Sequence, residues 1–207
     1  MTDALFPRLA IIGIGLIGSS IARAARLNGL VDEIAISDLS PVILKRAEEL
    51  ALGDSYHAAA GDAVADADLV IGTVLIPGAK APKLVTNDMV AQMKPGSVLV
   101  DVAIDQGGCF EDSHPTTHAD PTFRVHNSVF YCVANMPGAV PNTSTWGLTN
   151  ATLPYSVHLA GKGWRQACAE SKALALGLHT VGGAVTRKGV GDAFSDLPEA
   201  SLRDVLD

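Results

Sequence analysis

Apolar and polar residues alternate along the first 140 positions in a way that predicts strands and helices in turn. Leu9–Ile12 is a short apolar run, followed by closely spaced glycines. A segment with helical apolar spacing then runs from Leu16 to Asn28, and Gly29 ends it as a residue suited to the left-handed cap. Glu33–Ser37 reads as a second strand. Ser40 and Pro41 supply an N-cap and a first-turn proline for a helix to about Leu52, closed by Gly53. A short strand near Tyr56 and a small helix near Asp62–Val64 follow. Asp68–Leu75 is almost continuously apolar, as in a strand buried on both faces. Asn87 caps a predicted helix over Asp88–Met93. Lys94, Pro95 and Gly96 turn into a strand over Ser97–Val102, and Val129–Val133 gives another after a glycine-rich loop. This order predicts an α/β fold with a doubly wound parallel sheet.

From Thr143 the pattern changes. Thr145–Leu159 predicts a long helix that Pro154 should kink, Trp164–Leu176 a second one, and Gly182 and Gly183 a turn into a short extended segment. The tail over Asp192–Asp207 is acidic, with a brief helix after Pro198. Residues 1–142 therefore read as one domain and 143–207 as a C-terminal helical extension. The apolar surface of Thr145–Leu176 predicts pairing with a second copy, as a homodimer or larger homo-oligomer.

Composition narrows the partners. The net charge of −7, without a basic run, argues against nucleic acid and anionic membranes. No apolar run is long enough for a membrane-spanning helix. The first residues, with an early acid and no apolar core, do not read as a secretory signal. Cys109, Cys132 and Cys168 are widely spaced and form no C-x-x-C, so they read as reduced thiols of a cytoplasmic protein. His114 and His118 have metal-ligand spacing, but Pro115 spoils the helix it needs, and no metal is expected.

The chemistry sits at the first turn. Gly13, Gly15 and Gly18 have G-x-G-x-x-G spacing between a strand and a helix, and Asp38 ends the next strand twenty residues on. Gly13 lets the chain turn, Gly15 lets backbone approach a pyrophosphate, and Gly18 lets helix and strand pack closely. The helix start at Leu16 and Ile17 offers unpaired N–H groups and a positive dipole end. Asp38 would accept hydrogen bonds from a ribose and disfavour a 2′-phosphate. The expected fold is thus a Rossmann fold and the expected cofactor a nicotinamide dinucleotide, NAD over NADP.

Two resemblances follow. Leu9 through Ala25 (LAIIGIGLIGSSIARAA), Gly29-Leu30 and Arg46-Ala-Glu-Glu-Leu50 resemble the NAD-binding domain of prephenate/arogenate dehydrogenases, up to about Asp68. From about residue 67 to 194 the chain is similar to alanine dehydrogenases. The matching blocks include Leu75-Ile-Pro-Gly-Ala-Lys-Ala-Pro-Lys-Leu-Val85, Asp101-Val-Ala-Ile-Asp-Gln-Gly-Gly-Cys109, Cys132-Val-Ala-Asn-Met-Pro-Gly-Ala-Val-Pro141 and Leu148-Thr-Asn-Ala-Thr-Leu-Pro154. Together these imply a chimera joined near 65–69. The second resemblance implies that Val74, Leu75 and Val102 flank the nicotinamide, that Asn135 and Met136 line it, and that Asp105 is an acid/base catalyst. Read from the residues alone, Asp105 could instead be a solvated loop acid or a cap in the turn at Gln106, Gly107 and Gly108.

Neither substrate domain of these families has an evident counterpart, so the expectation is an NAD(H)-binding domain with an incomplete substrate site. The alternative is an active NAD-dependent oxidoreductase of alanine dehydrogenase type, converting alanine to pyruvate.

Overall fold

A computed structural model describes residues 4–76, 80–192 and 194–206, so Pro77–Ala79 of the quoted Leu75–Val85 stretch, and Ala193 and Asp207 of the acidic tail, lie outside it. The described residues form two compact units, one over 4–76 and 80–136, the other over 137–192 and 194–206.

The first unit is built on β1 (Phe6–Ile12), α1 (Leu16–Leu27), β2 (Val31–Ser37), α2 (Pro41–Glu49), β3 (Ser55–His57), α3 (Ala60–Val64), β4 (Leu69–Gly72), α4 (Asn87–Ala91), β5 (Val98–Asp101), β6 (Thr122–Val125) and β7 (Ser128–Tyr131). The strands lie in the order β3-β2-β1-β4-β5-β7-β6, all parallel except β6, which runs against β7. The chain reverses direction across the sheet between β1 and β4, and loops diverge there at the strands' carboxyl ends.

Strand periodicity explains the two buried layers. Leu9 and Ile11 of β1 and Ile34 and Ile36 of β2 face one side, packed with Ala22, Ala25 and Ala47 of the helices. Ala10, Ile12, Ala35, Val70, Leu99 and Phe130 face the other, with Ala63, Val64, Val90 and Phe110. Both faces of the central strands are therefore apolar, as the continuous apolar runs require.

Several local expectations change. β4 stops at Gly72 and does not reach Leu75, because its register partners Ile12 and Asp101 end their own strands there. Val102–Gln106 is a 3-10 turn after β5, so the predicted strand end becomes a turn. Thr86 caps α4 in place of Asn87, its hydroxyl accepting from the Met89 amide. β6 was not expected. Its alternation turns Phe123 and Val125 onto the core, and Phe123 packs against Phe130 with ring centres 5.3 Å apart.

The second unit contains α5 (Pro141–Glu170), α6 (Lys172–Gly177), the hairpin β8 (Thr180–Val181) and β9 (Ala184–Val185), α7 (Lys188–Gly191) and α8 (Leu202–Leu206). Pro154 is accommodated inside α5. The break lies at Gly163, whose φ of 73° is left-handed. Glu170 accepts from Lys162 across that break and from Gln166 on its own side, and lies 3.1 Å from His158, contacts that hold its carboxyl down to about 2. Trp146, Leu148, Leu153 and Val157 on α5 are exposed. Among the described residues no helix is long and apolar enough to cross a membrane.

Candidate functional site

β1 ends at Ile12, and Gly13, with φ of 91°, carries the chain away from the sheet and into α1. The turn is fastened from three sides. The Gly13 amide donates to the Ser37 carbonyl at 2.8 Å, the Ile14 amide to Asp38 Oδ2 at 3.1 Å, and the Thr73 hydroxyl to the Gly13 carbonyl. Asp38 Oδ1 accepts the Ser40 amide at 2.9 Å. The acid at the end of β2 is thus held by two backbone amides before any ligand arrives.

Gly18 is where α1 meets β1. A Cβ there would lie 2.2 Å from the Gly13 carbonyl oxygen and 2.8 Å from Thr73 Oγ1. Gly15 differs: a Cβ on it would meet nothing within 4 Å. It caps the 12-residue α1 with extended backbone and no side-chain hydrogen bond, so the first helix amides take no partner from their cap.

These elements border a cleft of about 410 Å³. Of the residues singled out in the sequence, Gly13, Gly15, Leu16, Ile17, Asp38, Val74 and Leu75 line it, with Leu39, Ile43, Thr73, Ile76, Pro82 and Leu84. Leu16, Ile17, Leu39, Ile43, Leu75 and Ile76 are all exposed. Apolar walls, one fixed carboxylate and a helix N-terminus can together hold a dinucleotide: helix amides could meet a pyrophosphate, and a carboxylate at Asp38 could accept from ribose hydroxyls. The residues fit that group.

Gly18, Val102, Asp105, Asn135 and Met136 do not line this cleft. Gly18 is buried beneath it. The others follow the neighbouring strands, whose order β4-β5-β7 sets their carboxyl ends side by side. Val102 is half-buried and Asp105 exposed on the 3-10 turn after β5. Asn135, exposed with φ of 58°, precedes the half-buried Met136, and its carbonyl oxygen lies 3.1 Å from His118 Nε2. The Asp105 turn is tied to the cleft wall: the Ile76 amide donates to Gln106 Oε1 at 3.3 Å and the Ala81 amide to the Gln106 carbonyl at 3.0 Å. Lys83 Nζ donates to the carbonyls of Gly107 and Phe110 at 2.6 and 2.9 Å.

Sequence reasoning missed two residues here. Thr73 locks the glycine turn, and only the tertiary contact with Gly13 reveals it. Asp101 is completely buried at the end of β5. Its carboxylate accepts from the amides of Ala103, Cys109 and Phe110 at 3.1, 2.9 and 3.2 Å, from the Ser113 hydroxyl, and from the Cys109 thiol at 3.4 Å. An acid ending an apolar strand before a glycine-rich loop was the available signal. Burial, with the Asp101 carboxylate beside it, pushes the Cys109 thiol far above its ordinary range. Burial likewise pushes Cys132 up to about 11.

Fold and cleft together define a Rossmann-type dinucleotide-binding unit. The chain belongs to the family described as "Alanine dehydrogenase/PNT, C-terminal domain", whose model matches residues 6–188. The family is an NAD-binding one, and NAD is the cofactor it assigns. The chain is 53% identical over 195 residues to the alanine dehydrogenase of Mycolicibacterium smegmatis, covering 92% of this chain and 52% of that protein. It is 53% identical over 183 residues to that of Mycobacterium tuberculosis, covering 86% and 48%. A solved L-alanine dehydrogenase superposes with a TM-score of 0.77 at 44% identity, over 92% of this chain and 53% of that one. A transhydrogenase from Sinorhizobium meliloti does so with 0.59 at 30% identity, over 68% and 40%. The chain spans about half the length of these relatives.

The family model covers residues 6–188, on both sides of 65–69, so the reading of two joined lineages is not supported. The structure is also continuous there: the Asp68 amide donates to the Arg8 carbonyl at 3.0 Å, and the Arg8 amide to Asp68 Oδ2 at 2.9 Å. The likeness to prephenate dehydrogenases is concentrated in the glycine turn and its flanking helices, a pattern that dinucleotide-binding βαβ units share for the physical reasons given above.

Proposed function

We propose that this chain is the NAD-binding part of an alanine dehydrogenase, serving the interconversion of alanine with pyruvate and ammonium. The observation that carries it is the cleft at the β1/β4 switch point, with Asp38 fixed by two amides and open space over Gly15. Identity of about half to alanine dehydrogenases over nearly the whole chain supports the substrate.

Gly13, Gly15, Leu16, Ile17 and Gly18 form the pyrophosphate turn, and Asp38 holds the adenosine ribose. Val74, Leu75 and Val102 supply apolar surface at the nicotinamide end, with Asn135 and Met136 beside it. When bound, NAD supplies the hydride acceptor. Asp105, exposed on its turn, takes or returns a proton as water or ammonia adds to the substrate carbon. The tie between Gln106 and Ile76 keeps that turn against the cofactor cleft. The exposed apolar residues of α5 support assembly with further copies of the chain.

NADH oxidation with pyruvate and ammonium tests the reading. Asp105→Ala should lower the rate by roughly 10²–10⁴-fold while leaving NADH binding intact. Wild-type turnover no faster than the Asp105→Ala protein would overturn the catalytic role. Light scattering that shows a strict monomer at high concentration would overturn the assembly.

A further inference from the structure

The turn that carries Asp105 is gripped by two charged side chains, one taking its amides and the other its carbonyls. Asp101, completely buried at the end of β5, accepts from the Ala103 amide where the turn begins and from the Cys109 and Phe110 amides where it closes. Lys83 Nζ donates to the carbonyls of Gly107 and Phe110 at 2.6 and 2.9 Å. The grip is close: a Cβ on Gly108, whose φ of 75° is left-handed, would lie 2.7 Å from Asp101 Oδ2. Lys83 stands between Pro82 and Leu84, which line the cofactor cleft, yet neither Lys83 nor Asp101 is among the described lining residues. Asp105 is exposed, and among the described residues its side chain has no hydrogen bond or ion pair. Its position is therefore set by the backbone of the turn.

We infer that Asp101 and Lys83 are positioning residues for proton transfer at Asp105, acting through the backbone of the turn and not on the reacting atoms. The inference rests on the catalytic reading of Asp105 under Proposed function. Proton transfer needs heavy atoms within about 2.6–3.2 Å, and a misplacement of about 1 Å costs on the order of 10²-fold in rate. An exposed turn with two left-handed glycines, Gly107 and Gly108, has the freedom to drift that far. The two charges remove that freedom, since hydrogen bonds to charged groups are about twice as strong as neutral ones. All five groups that meet Asp101 are donors, the Ser113 hydroxyl and the Cys109 thiol included. Asparagine there would point an amino group at the partners of one oxygen, so the uncharged isostere cannot keep the same grip.

NADH oxidation with pyruvate and ammonium by the full chain, and amide hydrogen exchange of the same protein without cofactor, test this. Lys83→Met keeps the stem and removes the donor at an exposed position, so folding is not at stake. Its kcat should fall about tenfold or more while KM for NADH stays within about threefold. The solvent deuterium effect on kcat should rise as proton transfer becomes the slow step. Exchange at residues 107–110 should quicken about tenfold, with β1 and β2 unchanged. Lys83→Arg, which can still donate to both carbonyls, should recover most of the loss. Asp101→Asn should show the same pattern, and if it fails to fold, Lys83→Met decides alone. Wild-type kcat in Lys83→Met, unchanged exchange at the turn, or a fall in kcat matched by a rise in KM for NADH would overturn the inference. A wild-type rate no faster than that of Asp105→Ala is a different result, which removes the catalytic reading and the inference with it.

Discussion

Gly15 and Gly18 stand three residues apart in one motif, yet they should fail in different ways. An alanine Cβ at Gly18 would sit 2.2 Å from the Gly13 carbonyl oxygen, 2.8 Å from Thr73 Oγ1 and 3.1 Å from Ile11 Cγ2. The first distance is about 1 Å short of ordinary contact, and the atom met is backbone. α1 would have to lift off β1, loosening Ala22 and Ala25, which the same helix buries. Overpacking of this kind costs about 1–3 kcal/mol. In a chain of this size that lowers the melting temperature by roughly 3–10 °C. Gly15 has φ of −73°, which alanine adopts freely, and open space around it. Gly15→Ala should therefore cost under about 1 kcal/mol, mostly from a poorer N-cap. Its methyl would occupy the place where the pyrophosphate approaches, and affinity for NAD should fall by about tenfold or more; Gly15→Val should abolish binding. Denaturant unfolding and NADH fluorescence titration, run on both variants, separate the effects. If Gly18→Ala unfolds with wild-type stability, the close contact is not what the packing requires. A Gly15→Ala protein that binds NAD normally would refute the placement of the pyrophosphate.

Three further expectations can be checked directly. Asp38→Asn keeps one acceptor for the Ile14 or Ser40 amide but removes the charge, so NAD affinity should drop and the gap to NADP should narrow; titration with both cofactors reads this. Asp101→Ala would strand the buried amides of Cys109 and Phe110, at about 1–3 kcal/mol for each orphaned donor. A cost within about 0.5 kcal/mol of zero in urea unfolding would contradict the role of Asp101. The Cys132 thiol is raised by burial from its ordinary value of 9.0 to about 11, so the folded chain holds that proton more tightly than the unfolded one. Its contribution to stability is complete below about pH 9 and is lost as pH rises toward 11, so unfolding midpoints should fall over that interval and Cys132→Ser should flatten the fall.

Much of the first unit was legible because its signals are local. Gly13 through Asp38 announce their own turn, cap and strand end, and Leu9, Ile11, Ile34 and Ile36 mark buried strands by composition alone. The doubly wound parallel sheet follows from alternating periods, since parallel strands need crossovers. Less of the second half could be read. Pro154 looked like a break, but its helix tolerates it and turns instead at Gly163, where a left-handed φ is required.

The amino-acid order by itself determined the sheet's central strands, the glycine turn and the acid that meets it, because each depends on spacing between near neighbours. Only the tertiary structure decided that Thr73, sixty residues from Gly13, clamps that turn, and that Asp101 gathers the amides of Ala103, Cys109 and Phe110. Those contacts exist because parallel strands far apart in the chain end side by side. The same reason places Asp105 and Asn135 on neighbouring loops, a relation that no period along the chain encodes.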